Sequence, residues 1–257
     1  MTGTAIRAVA FDLGGTLEEI HYDDALRLEA AAGLRELLAR YGLDPGLDAS
    51  GLHAVVSRGM QAYRQWRERE EVELPPERVW ADYILPDMGL DRGRLEAAAE
   101  DLAFYYESHF FRRSMRPEVP EVLARLRAHG LRLAVISNIT SRRLVRHCLQ
   151  AYGIEHYFDP VVSSCVVGWR KPNPRIFLET ARLMGLAPGA CAYVGDTISR
   201  DVAGAQRAGY GLAIQIRSFL TALSDTEDDV AQPDAVVNDL TEIVGLVLSR
   251  AGKEAHD

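Results

Sequence analysis

Apolar residues recur with two different periods along this chain of 257 residues, and the change of period divides it into two parts. Between residues 23 and 113 they recur with helical spacing, in stretches separated by glycine and proline. From residue 116, short apolar runs alternate with amphipathic stretches. The first part is therefore predicted to be helical, with no convincing strand, and its helices are expected at residues 23–41, 49–69, 76–85 and 91–113.

The second part predicts a parallel sheet. Together with the apolar run at residues 6–11, strands are expected at residues 132–137, 161–162, 192–195, 212–216 and 235–237. The helices between and after them are expected at residues 119–129, 141–152, 175–184, 200–208 and 240–248. Such alternation is typical of an α/β fold with a doubly wound parallel sheet, similar to the Rossmann fold. We assign residues 1–17 and 115–257 to this core domain and residues 18–114 to an inserted all-helical cap domain, and we expect residues 224–229 to form an acidic surface loop.

Composition excludes several classes of function. Charged residues make up 26% of the chain, the net charge is −8 and no basic stripe is present, so nucleic acid is not an expected partner. Cys148, Cys165 and Cys191 are odd in number and lack metal-ligand spacing, which predicts buried thiols in a reducing compartment. No apolar run has membrane-spanning length, and residues 1–6 lack the regions of a signal peptide. We therefore expect a cytoplasmic protein without a membrane partner.

The distribution of cations singles out one residue. Of the 29 basic residues only Lys171 and Lys253 are lysines, and the others are arginines. A compact ammonium differs from a planar guanidinium where a single point charge must fit beside a phosphate. Lys171 is therefore a candidate for such a position.

The first predicted strand ends in a carboxylate at a glycine-rich turn. Asp12 follows the apolar run at residues 6–11 and precedes Leu13-Gly14-Gly15-Thr16-Leu17. Open α/β sheets bind ligands at this edge of the sheet. Two unrelated families of phosphate-handling enzymes begin similarly: the haloacid dehalogenase-like (HAD) phosphohydrolases with Asp-x-Asp-Gly-Thr, and the actin-like sugar kinases with Asp-x-Gly-Gly-Thr. Gly14 separates the two patterns and, taken alone, favours the kinases.

Polar segments also follow three later strands. They are Ser137-Asn138, Lys171-Pro172, and Asp196 with Asp201 five residues beyond it. Each alone is a common helix cap, loop or turn. In this order, together with Asp12 and Thr16, they strongly resemble the motifs of the HAD superfamily over nearly the whole chain, and the helical insertion resembles the cap of one HAD subclass. The sugar-kinase alternative matches only residues 12–16, because a long helical stretch follows them.

The resemblance implies a Mg²⁺-dependent phosphohydrolase that acts on a small phosphorylated metabolite. Asp12 would attack phosphorus and form an aspartyl-phosphate, which water then hydrolyses. Asp12, Asp196 and the backbone carbonyl of Gly14 would hold Mg²⁺, and Asp201 would orient Asp196 or waters on the metal. The site thus predicted contains four metal-binding residues, namely Asp12, Gly14, Asp196 and Asp201.

The same resemblance implies a set of residues around the phosphate. Lys171 would neutralise the charge shared by the nucleophile and the phosphoryl group, and Ser137 would bind phosphoryl oxygens. Thr16 and Asn138 complete the predicted substrate-binding set. The residues predicted to be catalytic are Asp12, Ser137, Lys171 and Asp196.

Gly14 departs from the HAD phosphatase motif. Most of these phosphatases carry a second Asp there, which protonates the leaving group and deprotonates the attacking water. Such acid–base help is typically worth about 10²–10⁴ in rate. Its loss predicts a preference for leaving groups that need no proton, unless Glu18, Glu19 or His21 substitutes for the missing acid.

Three alternatives follow from the missing acid. A pseudo-phosphatase would bind a phosphorylated ligand without turnover. A haloacid dehalogenase would work without a metal, but such enzymes usually lack the acid that this chain retains at Asp196. Phosphonate-cleaving relatives need a cap lysine, and residues 18–114 contain none.

Cap side chains are interpreted as structural. The charged run at residues 64–71 predicts a solvated helix face. Arg112, Arg113 and Arg116 lie near the expected hinge, where solvation is favoured over contact with an anionic substrate. The cap aromatics at helical spacing are expected to pack the bundle, and they are Tyr63, Trp66, Tyr105, Tyr106, Phe110 and Phe111.

Overall fold

A six-stranded parallel sheet forms the centre of the protein. The structure, a computed structural model, describes residues 4–86, 88–218, 221 and 231–251, so the predicted loop at 224–229 lies outside it. The strand order is β5-β4-β1-β6-β7-β8. The strands in the described residues are β1 Ala8–Phe11, β2 Glu18–His21, β3 Arg112–Met115, β4 Arg132–Ser137, β5 Phe158–Ser163, β6 Cys191–Gly195, β7 Leu212–Ile216 and β8 Ala235–Val237.

Helices cover both faces of this sheet. The described α-helices are α1 Asp24–Arg40, α2 Ala49–Glu70, α3 Pro76–Val79, α4 Arg92–His109, α5 Val119–Ala128, α6 Leu144–Ala151, α7 Ser164–Val167, α8 Pro174–Leu183, α9 Ala203–Arg207 and α10 Thr241–Arg250, and π-helices at Trp80–Ile84 and Ile198–Val202 continue α3 and precede α9. Buried side chains of α5, α6 and α10 pack on one face, and those of α8 and α9 pack on the other. Every side chain of β1 is buried, as expected for a central strand covered on both sides. The predicted α/β fold is confirmed.

Helices α1 to α4 form a separate hydrophobic cluster. Asp23, Asp48 and Asp91 each accept a backbone N–H bond from the first turn of the helix that follows. These caps satisfy donors that the helix itself leaves unpaired, which explains why the helices begin there. In the described ranges, no helix combines the length and the apolar character needed to cross a bilayer.

The insertion is not all-helical, contrary to our prediction. β2 and β3 pair antiparallel, with Glu18 opposite Met115 and His21 opposite Arg112. Only Ile20 is an apolar residue in β2, so the segment lacks the alternation that marks a strand, and its partner lies more than 90 residues away. Helix α4 accordingly ends at His109 instead of continuing to residue 113. The division at residues 18–114 stays a prediction.

Candidate active site

Three neighbouring strands bring the predicted site residues to one edge of the sheet. In the strand order β4-β1-β6, Ser137 ends β4, Asp12 follows β1 and Asp196 follows β6. The backbone N–H of Asp12 donates to the carbonyl of Val194 at 2.9 Å, which fixes the turn after β1 against β6. Because parallel strands end at the same edge, residues far apart in sequence meet here.

Lys171 occupies the centre of this cluster and is buried. Its Nζ lies 2.7 Å from Oδ1 of Asp12 and 2.7 Å from Oδ1 of Asp201. It also donates to the Tyr193 hydroxyl at 2.9 Å. Burial lowers the pKa of Lys171, but the two carboxylates outweigh burial and raise it above its usual value. The ammonium is therefore a fixed positive charge beside Asp12.

The three carboxylates of the cluster have different pKa values. Burial raises the pKa of Asp12 to about 6, although Lys171 opposes the shift. Burial and the neighbouring Asp201 and Asp12 raise the pKa of Asp196 to about 8. Burial would raise the pKa of Asp201 too, but Lys171 and hydrogen bonds lower it to about 2. Asp196 is thus the carboxylate whose charge is least compensated by the protein.

Oxygens of Asp12, Asp196 and Asp201 lie within 4.8 Å of one another and are buried. Hard divalent cations prefer such oxygen donors, and a cation would offset the unfavourable charge on Asp196. The residues present therefore fit Mg²⁺. Both oxygens of Asp201 already accept protein hydrogen bonds, Oδ1 from Tyr193 and Oδ2 from Thr197. This arrangement favours an orienting role for Asp201, and its metal-binding role stays a prediction.

Hydrogen bonds hold Asp196 in place, and a glycine lies directly against it. The Ser218 hydroxyl donates to its Oδ2 at 2.6 Å, and Gln215 Nε2 donates to its backbone carbonyl at 3.2 Å. Gly15 has φ +85°, and a Cβ there would lie 2.2 Å from Asp196 Oδ2. A glycine is therefore required at position 15 for the turn at residues 12–16 to approach Asp196.

Asn138 has a structural role that the sequence did not predict, and its predicted role in substrate binding stays a prediction. Its Nδ2 donates to the Lys171 carbonyl at 2.9 Å, and its Oδ1 accepts the Lys171 N–H at 2.8 Å. Asn138 thus positions the backbone of Lys171. Thr16 is fully buried and does not line the cavity above Asp12, and among the described residues its Oγ1 has no hydrogen-bond partner. Ser137 does line that cavity.

A cavity of about 540 Å³ lies between helices α1, α2 and α4 and the sheet edge, a size suited to a small molecule. Ion pairs outside the cavity lining also join the helical insertion to the rest of the protein, with Glu77 paired to Arg142 and Glu71 paired to Arg207. The predicted site residues that line it are Asp12, Gly14, Ser137, Asn138, Lys171 and Asp196.

None of the three proposed substitutes for the missing acid reaches this cavity. Glu18 is buried, bonded to Arg113 and accepting a 2.8 Å bond from the Tyr152 hydroxyl. Glu19 and His21 are about half exposed and line a different pocket. Ile20 instead faces Gly14: a Cβ on residue 14 would lie 2.7 Å from Ile20 Cδ1. Ile20 therefore fills the space beside Gly14, and Glu18 Oε1 lies next to it, 3.8 Å from the same Cβ position.

The solvated face predicted for residues 64–71 is only partly correct. Arg64, Glu68 and Arg69 are exposed as predicted, but Arg64 and Glu68, together with the partly buried Arg67, also line the cavity. Arg67 is turned inward by Glu73, whose carboxylate lies 3.6 Å away. Part of the charged run of helix α2 therefore faces the cavity. Helical periodicity alone did not distinguish these residues from those that face only solvent.

Solvation is also the wrong interpretation for two of the three hinge arginines. Arg112 is exposed. Arg113 is only 10% exposed and is paired with Glu18. Arg116 is buried and donates to the Gly15 carbonyl at 3.0 Å. Arg116 thus supports the turn that carries Asp12.

The aromatic residues of the cap pack its core, as predicted. Tyr63 and Phe110 are buried in the cluster formed by α1 to α4, and the other four pack against it. Tyr106 and Phe111 also line the cavity, so they have both roles. Burial raises the pKa of Tyr106 to about 12, which keeps its hydroxyl neutral near pH 7.

Sequence reasoning missed Glu73, a buried carboxylate between cap and core. It accepts bonds from Tyr63 Oη at 2.5 Å, Ser164 Oγ at 2.9 Å and Arg170 Nη1 at 2.8 Å. Burial lowers the pKa of Arg170 to about 10, with Arg67 contributing in the same direction. Nothing in the sequence around Glu73 distinguishes it from a surface residue, because its partners are distant in the chain.

Glu73→Gln is expected to lower the free energy of unfolding by about 3–5 kcal/mol, because it leaves Arg170 buried without its counter-charge. Chemical denaturation measures this change. Glu70→Gln changes an exposed carboxylate outside the cavity, at the end of helix α2, and is the matched control, expected to change stability by less than about 1 kcal/mol. Equal effects of the two variants would contradict the structural role assigned to Glu73.

Comparison with known proteins agrees with this geometry. A family described as haloacid dehalogenase-like hydrolase matches residues 6–209. The chain belongs to this family. A glyceraldehyde 3-phosphate phosphatase of Methanopyrus kandleri is 30% identical to this HAD hydrolase over 94% of the chain and 97% of its own length. A phosphoserine phosphatase of Thermus thermophilus is 33% identical over 92% of the chain and 90% of its own length.

Solved structures include HAD enzymes of a second activity. A 2-haloacid dehalogenase of Pseudomonas syringae matches with a TM-score of 0.64 and 27% identity, covering 95% of this chain and 99% of its own. A HAD phosphatase of Thermococcus onnurineus matches with a TM-score of 0.61 and 23% identity, covering 96% and 99%. The predicted family and hydrolase class are confirmed, and the sugar-kinase alternative is set aside.

Proposed function

We propose that this HAD hydrolase cleaves the phosphate ester of a small metabolite in a Mg²⁺-dependent reaction with Asp12 as the nucleophile. One observation carries the proposal: a buried Lys171–Asp12 ion pair lies beside the under-compensated carboxylate Asp196 at the bottom of the cavity. The phosphatase relatives support the same class of substrate.

The chemistry requires two displacements at phosphorus. A carboxylate oxygen of Asp12 forms a bond to phosphorus while the bond from phosphorus to the leaving oxygen breaks. Water then attacks the aspartyl-phosphate, which releases inorganic phosphate and restores Asp12. Lys171 contacts Oδ1 of Asp12 and holds that carboxylate in one orientation during both steps. Because the pKa of Asp12 is about 6, the nucleophile is mainly ionised at neutral pH.

The metal would be held by Asp12, Asp196 and the Gly14 carbonyl, with Asp201 orienting the cluster. When bound, Mg²⁺ would supply positive charge to the phosphoryl oxygens. Ser137 lines the same cavity and is proposed to bind a phosphoryl oxygen. The free, buried cysteines support a cytoplasmic location as part of the proposal.

A phosphate-release assay tests the proposal. A panel of small phosphate esters, acyl phosphates and aryl phosphates is incubated with the protein and Mg²⁺, and a parallel set contains a chelator. We expect release with Mg²⁺ and none with chelator. Release that is equal in both sets would contradict a metal-dependent reaction.

Dehalogenation is the second candidate, because a 2-haloacid dehalogenase matches this chain over nearly its full length and residue 14 is a glycine, which supplies no acid. Asp12 would then displace halide from carbon. Halide release from 2-chloropropionate, unaffected by chelator, is the result that would favour this candidate over the phosphatase.

Metal binding is expected to stabilise the protein more at about pH 8.5 than at about pH 5.5. The pKa is raised to about 6 for Asp12 and to about 8 for Asp196. The metal-free protein therefore has the full stability contribution of these two groups below their ordinary pKa near 4. It loses this contribution as the pH rises through about 6 for Asp12 and about 8 for Asp196. Mg²⁺ binds the deprotonated carboxylates, so its benefit grows over the same range. Thermal unfolding with Mg²⁺ and with chelator measures the difference.

Asp196→Asn is the matched variant for this comparison. It removes the group whose pKa is raised most among the three carboxylates. We expect the variant to lose most of the dependence of metal stabilisation on pH. A pH dependence equal to that of the wild type would show that another group is responsible.

A further inference from the structure

Arg27, on helix α1, lines the same cavity as Asp12 and Lys171. Its guanidinium carbon lies 3.8 Å from the ring centre of Tyr22 and 5.5 Å from that of Phe111. Stacking on an aromatic ring fixes the plane of a guanidinium and leaves its N–H edge available for a planar anion. Within the described residues, the buried Nε of Arg27 has no hydrogen-bond partner.

The Nε of Arg67 is also buried without a hydrogen-bond partner, but Arg27 differs from the other cap arginines of the cavity because it has no carboxylate partner among the described residues. Arg64 is paired with Glu68 at 2.8 Å and Arg67 with Glu73 at 3.6 Å. Arg113 is paired with two carboxylates. Over the ranges that the structure describes, Arg27 has no carboxylate within 4.0 Å.

The charge of the cavity wall points to a ligand with more than one anionic group. Seven basic and four acidic side chains line it, and two of the acidic ones, Asp12 and Asp196, belong to the reaction centre. The phosphate that reacts is neutralised at that centre. A partly buried guanidinium without a partner is unfavourable, so an anion on the ligand would stabilise it.

We infer that Arg27 binds a second anionic group of the substrate, a carboxylate or a second phosphate, and thereby selects dianionic metabolites over phosphate esters with a neutral remainder. The inference rests on the proposed function for the position of the reacting phosphate. Both anions match the two parallel N–H donors of a guanidinium. Arg27 is therefore a specificity-determining residue on the cap, opposite the reaction centre.

The test compares two pairs of esters that differ in one group. 3-Phosphoglycerate is compared with glyceraldehyde 3-phosphate, and 1,3-propanediol bisphosphate with 3-hydroxypropyl phosphate. We expect the wild type to prefer the anionic member of at least one pair in kcat/KM. Arg27→Gln is expected to reduce that preference at least about tenfold, with a smaller effect on the neutral member. The pair that shows the preference identifies the anion.

Two variants of Arg27 and its neighbourhood sharpen the comparison. Arg35→Gln removes an exposed arginine of the same helix and is expected to leave the preference unchanged. Arg27→Lys keeps the charge but loses the paired donors, so it is expected to restore only part of the preference. A wild type without preference in either pair, or a preference that Arg27→Gln leaves intact, would overturn the inference.

A binding measurement separates this inference from the proposed reaction. Calorimetry on Asp12→Asn, with and without Arg27→Gln, measures affinity for the same four compounds in the absence of turnover. If the wild type released no phosphate from any compound, the proposed function would be refuted. Loss of the affinity difference only when Arg27 is changed would still support the second anion site, and an unchanged difference would refute it.

Discussion

Asp12→Asn is expected to reduce metal-dependent phosphate release by roughly 10⁴-fold or more. Asparagine has almost the same shape as aspartate, but its neutral amide does not form the acyl-phosphate bond. The Lys171 ammonium keeps its second partner, Asp201, at 2.7 Å, so the remaining cluster stays paired. The loss of rate would therefore come from the missing nucleophile and not from collapse of the site.

The same variant is expected to keep or increase its stability near pH 7 in the presence of a chelator. Burial raises the pKa of Asp12 to about 6, which means that its surroundings disfavour the ionised form at neutral pH. The neutral side chain of asparagine avoids that cost. Thermal unfolding of the two proteins measures the difference, and a strongly destabilised variant would show that Asp12 is primarily a structural residue.

Glu19→Gln is the matched control for Asp12→Asn. Glu19 is another carboxylate close in sequence, but it is about half exposed and lies outside the cavity of Asp12. We expect the control to keep wild-type activity. If Asp12→Asn retained activity within tenfold of the control, the nucleophile would have to be another group. Conversely, turnover by the wild type that disappears in Asp12→Asn would exclude a pseudo-phosphatase that only binds its ligand.

The placement of Asp12, Ser137 and Asp196 was predictable from sequence for a physical reason. Each comes at the end of a short apolar run, and parallel strands end at one edge of their sheet. Lys171 was predictable because it is a rare lysine in a chain of arginines. Local pattern and the strand-end rule predict that these side chains meet at one edge of the sheet, whereas their roles in a reaction centre come from the resemblance to the HAD motifs and stay predictions.

The surroundings of that centre were not predictable in the same way. Tyr193 lies in an apolar run and has the position of a core residue. A buried tyrosine hydroxyl needs a hydrogen-bond partner, but the sequence does not show that this partner is Asp201. Glu73 and Arg170 lie 97 residues apart, and no local period relates them. The pairing of β2 with β3 depends on a similar long-range contact. Such features follow from tertiary packing.

The contact of Ile20 with Gly14 was also not predictable from local sequence, and it changes the interpretation of Gly14. A Cβ on residue 14 would lie 2.7 Å from Ile20 Cδ1, a closer distance than real Cβ atoms show. The neighbouring atom is the end of a flexible side chain, so an acid at position 14 needs Ile20 to move. Gly14 and Ile20 are therefore best treated as one unit.

The double variant Gly14→Asp with Ile20→Val is expected to raise kcat/KM on alkyl phosphates by about 10²–10⁴. Valine lacks the Cδ1 atom that meets the new Cβ, so it makes room for a carboxyl group beside the leaving oxygen. A proton donor helps esters of high leaving-group pKa and adds little for acyl or aryl phosphates. The dependence of rate on leaving-group pKa should therefore become shallower than in the wild type.

Two control variants isolate the proton transfer in this experiment. Ile20→Val alone is expected to cost about 0.5–1.5 kcal/mol of stability and to leave the leaving-group dependence unchanged. Gly14→Asn with Ile20→Val has nearly the shape of the acid but no acidic proton, so it should behave like the wild type. If the Asp and Asn double variants responded to leaving-group pKa with the same slope, the missing acid at position 14 would not be what restricts the substrates of this hydrolase.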